Sequence, residues 1–252
     1  MNPAFSLEGR LILITGGGTG LGRAMANSIA ASGGEVIITG RTEDTLIDAC
    51  AEIGERAHYI VHDIRDRESI PALIDQIEAK YGSLYAAVSN AGNHLKKSSL
   101  VTTDAEFLNV IDTHVLSGFA LARECARRML PRGEGAILFI GSMSAIFGLT
   151  DTPAYTASKS ALLGMTRELA TEYSPRGIRV NIIMPGFIES QMMRAVFTRD
   201  PAREQRVLSR TPMARIGEPA DIGNAAAFLL SPAAKFISGA ELVVDGGMSI
   251  GF

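Results

Sequence analysis

Only two cysteines, Cys50 and Cys125, occur in the 252 residues. Two thiols make no disulfide framework, and both fall in helix-like segments, so reduced buried thiols are expected. Strong charge of either sign is missing too: 24 Lys and Arg against 27 Asp and Glu leave a formal net charge of −3. The basic residues are dispersed along the chain, which argues against nucleic acid or an anionic membrane as partner. No apolar run reaches the roughly 18 residues of a membrane span. The N-terminal residues lack a basic region followed by an apolar core, so no secretory signal is read there and a soluble cytoplasmic protein is expected. Repeats, low-complexity tracts and linkers are also missing, and one domain, 1–252, is the expected count.

What is present is an alternation. Short runs rich in Val and Ile (Arg10–Thr15, Glu35–Thr39, Ala57–Val61, Tyr85–Ser89, Ala136–Gly141, Ile178–Met184, Glu241–Val244) alternate with longer amphipathic ones. The latter are Leu21–Ser32, Glu43–Ile53, Arg67–Tyr81, Ala105–Leu130, Pro153–Tyr173 and Pro219–Leu230. Continuous apolar runs suit parallel strands buried on both faces. The pattern predicts an α/β fold, a single-domain Rossmann-like doubly wound parallel sheet of about seven strands with helices on both faces. Between Phe187 and Pro219 the rhythm fails: about thirty residues hold two Pro, six Arg and no strand pattern. Irregular segments of that length tend to be lids or binding loops, so a substrate lid is expected at about 187–218.

The first strand runs into Thr15-Gly-Gly-Gly-Thr-Gly-Leu-Gly22, with Gly16, Gly20 and Gly22 spaced as G-x-x-x-G-x-G. Such a turn lets backbone amides approach a pyrophosphate, which then faces the partial positive charge of a helix N-terminus. Gly16, Gly18, Thr19, Gly20 and Leu21 are the candidate contacts. At the tip of the second strand the chain reads Thr39-Gly40-Arg41-Thr42, without an acid to bind a ribose 2′-hydroxyl. The planar fork of Arg41 suits a 2′-phosphate, with Thr42 beside it, so NADP(H) is favoured over NAD(H). Glu43 and Asp44 fit the first turn of the next helix.

Tyr155 and Lys159 stand four residues apart, thirteen after Ser142. On a helix that spacing puts ammonium and phenol on one face, where a fixed cation favours the phenolate. Taken with Thr15–Gly22, Asn90-Ala91-Gly92, Ser142 and Pro185-Gly186, the order and spacing resemble the short-chain dehydrogenases/reductases over essentially the whole chain. The resemblance implies hydride transfer between nicotinamide and a carbonyl or secondary alcohol. Tyr155 would be the acid/base, Lys159 would lower its pKa and bind the nicotinamide ribose, and Ser142 would hold the substrate oxygen. It further implies Asp63 and Ile64 at the adenine, Asn90, Ala91 and Gly92 at the adenosine ribose, and Pro185, Gly186, Ile188 and Ser190 at the nicotinamide. A homotetramer, or a homodimer, built on the long fourth and fifth helices and the C-terminal segment is implied as well. Small and apolar residues of Pro153–Tyr173 (Ala157, Ala161, Leu162, Gly164) would allow close packing against a symmetry mate.

One position departs from the pattern. His114 aligns with an asparagine that, in the family, supports a water linking the active-site lysine to solvent. A histidine there either relays protons, with an altered pH profile, or packs in a helix kink. His58 and His62 flank Asp63, but with no further ligand nearby no metal is expected. His94, Lys96 and Lys97 follow the Asn-Ala-Gly motif near the expected site mouth. With Arg194 they suit a substrate carboxylate, although loop lysines are more often simply solvated. A sugar acid or polyol, as in gluconate 5-dehydrogenase-like members, is therefore weakly favoured. A 3-oxoacyl thioester, as in 3-oxoacyl-carrier-protein reductase-like members, a small ketone, and a catalytically inactive NADP(H)-binding regulator are the alternatives.

Overall fold

Ile12, Leu13 and Ile14 show why the apolar runs become strands. Ile12 and Ile14 face one side of a sheet and Leu13 the other, and all three are fully buried. In the computed structural model, which describes residues 2–251, seven strands form one parallel sheet. They are β1 (Leu11–Thr15), β2 (Glu35–Gly40), β3 (Ala57–Val61), β4 (Leu84–Ser89), β5 (Gly135–Ile140), β6 (Ile178–Pro185) and β7 (Glu241–Val244). Their spatial order is β3-β2-β1-β4-β5-β6-β7. The order reverses at β1, and the crevice between the carboxyl ends of β1 and β4 is where such sheets bind ligands. Met1 and Phe252, the ends of the expected domain, lie outside the described residues.

Two cores sandwich the sheet. One face packs on α1 (Gly20–Ala31), α2 (Glu43–Ile53) and α9 (Pro219–Leu230), through Met25, Leu46, Ile222 and Leu229. The other packs on α3 (Ile70–Tyr81), α5 (Ser117–Met129) and α6 (Pro153–Tyr173), through Ile74, Leu121 and Leu162. Each such side chain contributes about 1.5–3 kcal/mol on leaving water. Leu162 is thus used inside its own chain, whereas Ala161 and Gly164 remain exposed on α6.

Two expectations need correction. The helix predicted as Ala105–Leu130 is not regular. It opens as α4 (Asp104–Ile111), passes through a π turn at Asp112–Leu116 and continues as α5. Thr103 and Glu106 start it with a reciprocal capping box, Oγ1 accepting from Glu106 N at 3.3 Å and the Glu106 carboxylate accepting from Thr103 N at 2.9 Å. The wide turn has no signature in side-chain periodicity, and it carries His114. The segment after Phe187 is helical rather than irregular: α7 spans Gln191–Arg199 and α8 spans Pro201–Arg210. Asp200 accepts from Arg203 N at 2.9 Å and Pro201 occupies the first turn, an N-terminal signature that arginine-rich composition masks. Elsewhere most predicted ends shift by about a residue, but Arg67–Ser69 form a separate 3-10 turn and α3 starts at Ile70.

Candidate active site

The glycine turn is shaped by what closes on it. Thr15 ends β1, and its Oγ1 accepts from Asn90 N and Ala91 N, both at 3.1 Å. Asn90 Nδ2 donates to Thr15 O at 2.9 Å and Gly16 O at 3.1 Å, so the carboxyl ends of β1 and β4 are stitched together. Gly22 lies so near that a Cβ there would strike the Gly16 carbonyl. Thr19 precedes α1 without capping it by its side chain, which leaves the first-turn amides of that helix available to an anion.

A cavity of about 480 Å³ lies over this turn. It gathers Gly16, Gly18, Thr19, Gly20 and Leu21 from the turn, Arg41 and Thr42 from the end of β2, and Asp63 and Ile64 after β3. Asn90, Ala91 and Gly92 complete it from the end of β4. Arg41 is exposed, and its side chain makes no hydrogen bond or ion pair among the described residues, so its guanidinium is available to a phosphate. Asp63 is held by Arg65, Nη2 to Oδ2 at 2.7 Å, and that guanidinium keeps the carboxyl below its ordinary range, with Arg41 adding to the effect. A glycine cradle at a helix N-terminus, with an unpaired arginine at the far end, fits a phosphorylated dinucleotide. His62 Nε2 pairs with Ser69 Oγ at 2.9 Å, while His58 stacks on Tyr81 at 4.6 Å and faces Glu35 Oε2 at 3.6 Å. The two imidazoles therefore address different neighbours.

Ser142 follows β5, and its Oγ accepts from Ser144 N at 3.1 Å. Tyr155 and Lys159 occupy the first turns of α6, which Pro153 starts. Lys159 is buried, donates from Nζ to Ile140 O at 2.7 Å, and sits 5.4 Å from the centroid of the Tyr155 ring. Burial pushes its ammonium down to about 7. Burial also pushes the Tyr155 phenol up, and the Ser142 hydroxyl pulls it back. Here the lysine charge is directed to the end of β5 rather than to the phenol oxygen.

Two more imidazoles face Tyr155. His94 lies with its ring centroid 4.7 Å away, and His114 meets the phenol edge-on at 5.7 Å. His114 is 5% exposed, and burial, aided by the Lys159 charge, pushes its imidazole down to about 3. Its Nε2 is 2.7 Å from Asn93 O and 3.2 Å from Asn93 N. The shorter contact is to an acceptor, so Nε2 carries the hydrogen. A Cβ on Gly92 would strike this ring, so the glycine of Asn-Ala-Gly makes room for His114. An imidazolium does not form here near neutral pH. The ring instead ties the Asn93 loop to the edge of Tyr155.

Not every expected residue joins this cluster. Lys97 Nζ donates to both Glu106 carboxylate oxygens at 2.8 Å and holds that group down at about 2, and Arg194 pairs with Glu189 at 2.6 Å. Each already has an anion within the chain that a substrate carboxylate would have to displace. Pro185 pairs with Val244 at the end of β6, followed by Gly186, and Ser190 Oγ accepts from Met193 N at 3.1 Å. Ile188 is buried, bridges to Gly217, and lines a separate cavity of about 370 Å³. These four lie outside the lining of the cavity over the glycine turn. Sequence reasoning missed Thr15, whose hydroxyl carries the β1–β4 stitch, and Arg65. Arg203, discussed below, was also missed, although the Asp200-Pro201 helix start could have placed it.

Known proteins resemble this chain over nearly its whole length. A family model described as enoyl-(acyl carrier protein) reductase matches residues 16–249. The 3-oxoacyl-[acyl-carrier-protein] reductase of Escherichia coli is 35% identical over 96% of this chain and 98% of its own. The galactitol 2-dehydrogenase (L-tagatose-forming) of Cereibacter sphaeroides is 38% identical over 98% and 97%. A crystal structure of a gluconate 5-dehydrogenase from Burkholderia cenocepacia, in complex with NADP and tartrate, aligns with a TM-score of 0.93. It is 30% identical and covers 99% of both chains.

Proposed function

The chain belongs to the short-chain dehydrogenase/reductase family, and from that premise we propose an NADP(H)-dependent oxidoreductase that interconverts a secondary alcohol and its ketone on a sugar acid or polyol. The observation that carries the reading is the placement of Tyr155, Lys159 and Ser142 at the carboxyl end of the sheet that also bears the glycine-turn cavity. Gly16, Gly18, Thr19, Gly20 and Leu21 would hold the pyrophosphate, Arg41 and Thr42 the 2′-phosphate, and Asp63 and Ile64 the adenine. Asn90, Ala91 and Gly92 would border the adenosine ribose; Pro185, Gly186, Ile188 and Ser190 would border the nicotinamide. When bound, the nicotinamide supplies or accepts the hydride at its C4.

In reduction Tyr155 gives its phenolic proton to the oxygen that becomes the alkoxide, and Ser142 donates to the same oxygen. In oxidation the phenolate takes that proton back. Both donors act on charge that develops in the transition state, which is where binding raises rate. Lys159 would hold the nicotinamide ribose and, on turning its ammonium from Ile140 O toward the phenol, would favour the phenolate. His114 keeps the loop and the phenol edge in register. The unpaired Arg41 supports NADP(H), as does the NADP in the Burkholderia relative. The residues at 187–218, with α7 and α8, would act as the lid. Leu108, Leu116 and Phe119 stay exposed along α4, the π turn and α5, which supports a homotetramer or homodimer through that face. No helix among the described residues is long and apolar enough to cross a membrane, and both cysteines are free, which supports a cytoplasmic setting.

The test is NADPH and NADH oxidation over a panel of keto-sugar acids, keto-sugars, 3-oxoacyl thioesters and simple ketones, in wild type and Tyr155→Phe. Turnover of a keto-sugar or keto acid with NADPH, reduced at least about a hundredfold in the variant, is expected. Preference for the thioester would favour the alternative that the Escherichia coli relative represents. Tight NADPH binding without turnover of any compound would replace the enzyme by a regulator.

A further inference from the structure

The six arginines between Phe187 and Pro219 differ in what holds them. Arg194 pairs with Glu189 at 2.6 Å, Arg206 with Asp200 at 3.7 Å and Arg215 with Asp221 at 3.0 Å. Arg210 lies over the Phe147 ring, 4.7 Å from its centroid, and Arg199 is exposed. Arg203 stands apart: it is half-buried, and its guanidinium has no hydrogen bond or ion pair among the described residues.

The packing of α8 says where that guanidinium belongs. Val207 is 6% exposed, so its face of the helix points into the protein. Arg203, four residues earlier, and Arg210, three later, share that face. The Arg210 end rests on Phe147, in the loop between Ser142 and Tyr155. The charge at the Arg203 end reaches His94, whose ring is 4.7 Å from that of Tyr155. Burial, and after it the positive charges of Lys96, Arg203 and Lys159, push the His94 imidazole below its ordinary range. A half-buried cation without an anion is unfavourable, and Lys96 and Lys159 add like charge beside the same imidazole.

We propose that Arg203 is a specificity-determining residue that binds the carboxylate of a hydroxy- or keto-acid substrate while Tyr155 and Ser142 hold its reacting oxygen. It deepens the proposed function and rests on it for the position of the reacting carbon. The guanidinium fork takes a carboxylate in two parallel hydrogen bonds, a geometry that Lys96 does not offer. Lys97 and Arg194 are already engaged with Glu106 and Glu189. A substrate carboxylate would neutralise a half-buried lid arginine that has no partner among the described residues.

The experiment titrates D-gluconate and galactitol, six-carbon probes with and without a carboxylate, into NADP⁺-loaded protein by calorimetry, with KM and kcat measured for whichever is oxidised. Arg203→Met should weaken gluconate binding about tenfold to a hundredfold, mainly through KM, with galactitol unaffected. Arg203→Lys should restore part of the loss, and Arg206→Met, on the exposed face of the same helix, should change nothing. Equal gluconate affinity in wild type and Arg203→Met overturns the proposal, as does wild-type binding of galactitol as tight as that of gluconate, or no gluconate binding at all. Gluconate binding that depends on Arg203 without any hydride transfer would sink the oxidoreductase reading and leave the carboxylate site standing. Tyr155-dependent turnover of a neutral ketone alone would do the reverse.

Discussion

The cofactor end and the substrate end of the site are built by different means. Around the glycine turn the contacts are main-chain atoms, one short hydroxyl and one amide side chain. Asn90 and Thr15 close four hydrogen bonds between 2.9 and 3.1 Å, and Gly22 has no room for a methyl group. Around the lid the contacts are long side chains at the surface: Arg194–Glu189, Arg206–Asp200 and Arg215–Asp221. Exposed pairs of that kind contribute about 0–1 kcal/mol each. The first end is over-determined and tolerates little change. The second can exchange partners at low cost, so cofactor binding rests on the tightly built turn and the substrate class on a few arginines and lysines.

Three substitutions break or sharpen this contrast. Gly22→Ala attacks the over-determined end and should have the largest effect. The methyl group must displace the Gly16 carbonyl, so NADPH affinity should fall at least about tenfold and stability by about 1–3 kcal/mol. Fluorescence titration and thermal unfolding read both, and a variant that matches wild type in the two would show the turn to be looser than its packing implies. Arg41→Ala separates the generic part of that end from the selective part. NADPH should bind about tenfold more weakly while NADH is unchanged, since the lost charge-assisted bonds reach only a 2′-phosphate. Equal wild-type affinity for the two nucleotides would defeat the assignment.

His114→Asn is the gentlest of the three. The buried imidazole is depressed to about 3 from 6.5, so the unfolded chain binds a proton there that the folded chain refuses. Its contribution to stability is fully present above pH 6.5 and is lost as pH falls toward 3. The loss is about 1.4 kcal/mol per pH unit while the proton distinguishes the two states. Asparagine should flatten that acid-side slope and leave the neutral-pH stability nearly unchanged. Denaturant midpoints between pH 4 and pH 8 measure it, and an unaltered slope would mean that His114 is charged in the folded state.

Much of this was legible in the chain. The strand runs, the glycine turn, and the Tyr155–Lys159 spacing are local patterns, and Ile12, Leu13 and Ile14 betray two-sided burial without any coordinate. What was not legible depends on what the side chains pair with once the chain is folded, whether five residues apart, as in Arg194 and Glu189, or twenty-one, as in His114 and Asn93. Lys97 looked available until Glu106 was seen to hold it, and Arg194 until Glu189 did. For His114 the chain left a proton relay and a packed ring both open, and its burial against Gly92 and its bond to Asn93 favour the packed ring. The π turn that carries it leaves no trace in residue order, because one extra residue in a helical turn alters neither composition nor amphipathic pattern enough to register.

By itself the sequence determined the doubly wound sheet, the family, and the residues expected at the cofactor and at the reacting oxygen. Those follow from short-range rules: strand burial, the sterics of glycine, and helical periodicity. Only the tertiary structure decided which charges remain unpaired. That question turns on distance and desolvation, which fix whether a cation such as Lys97 is satisfied within the chain or one such as Arg203 still lacks an anion.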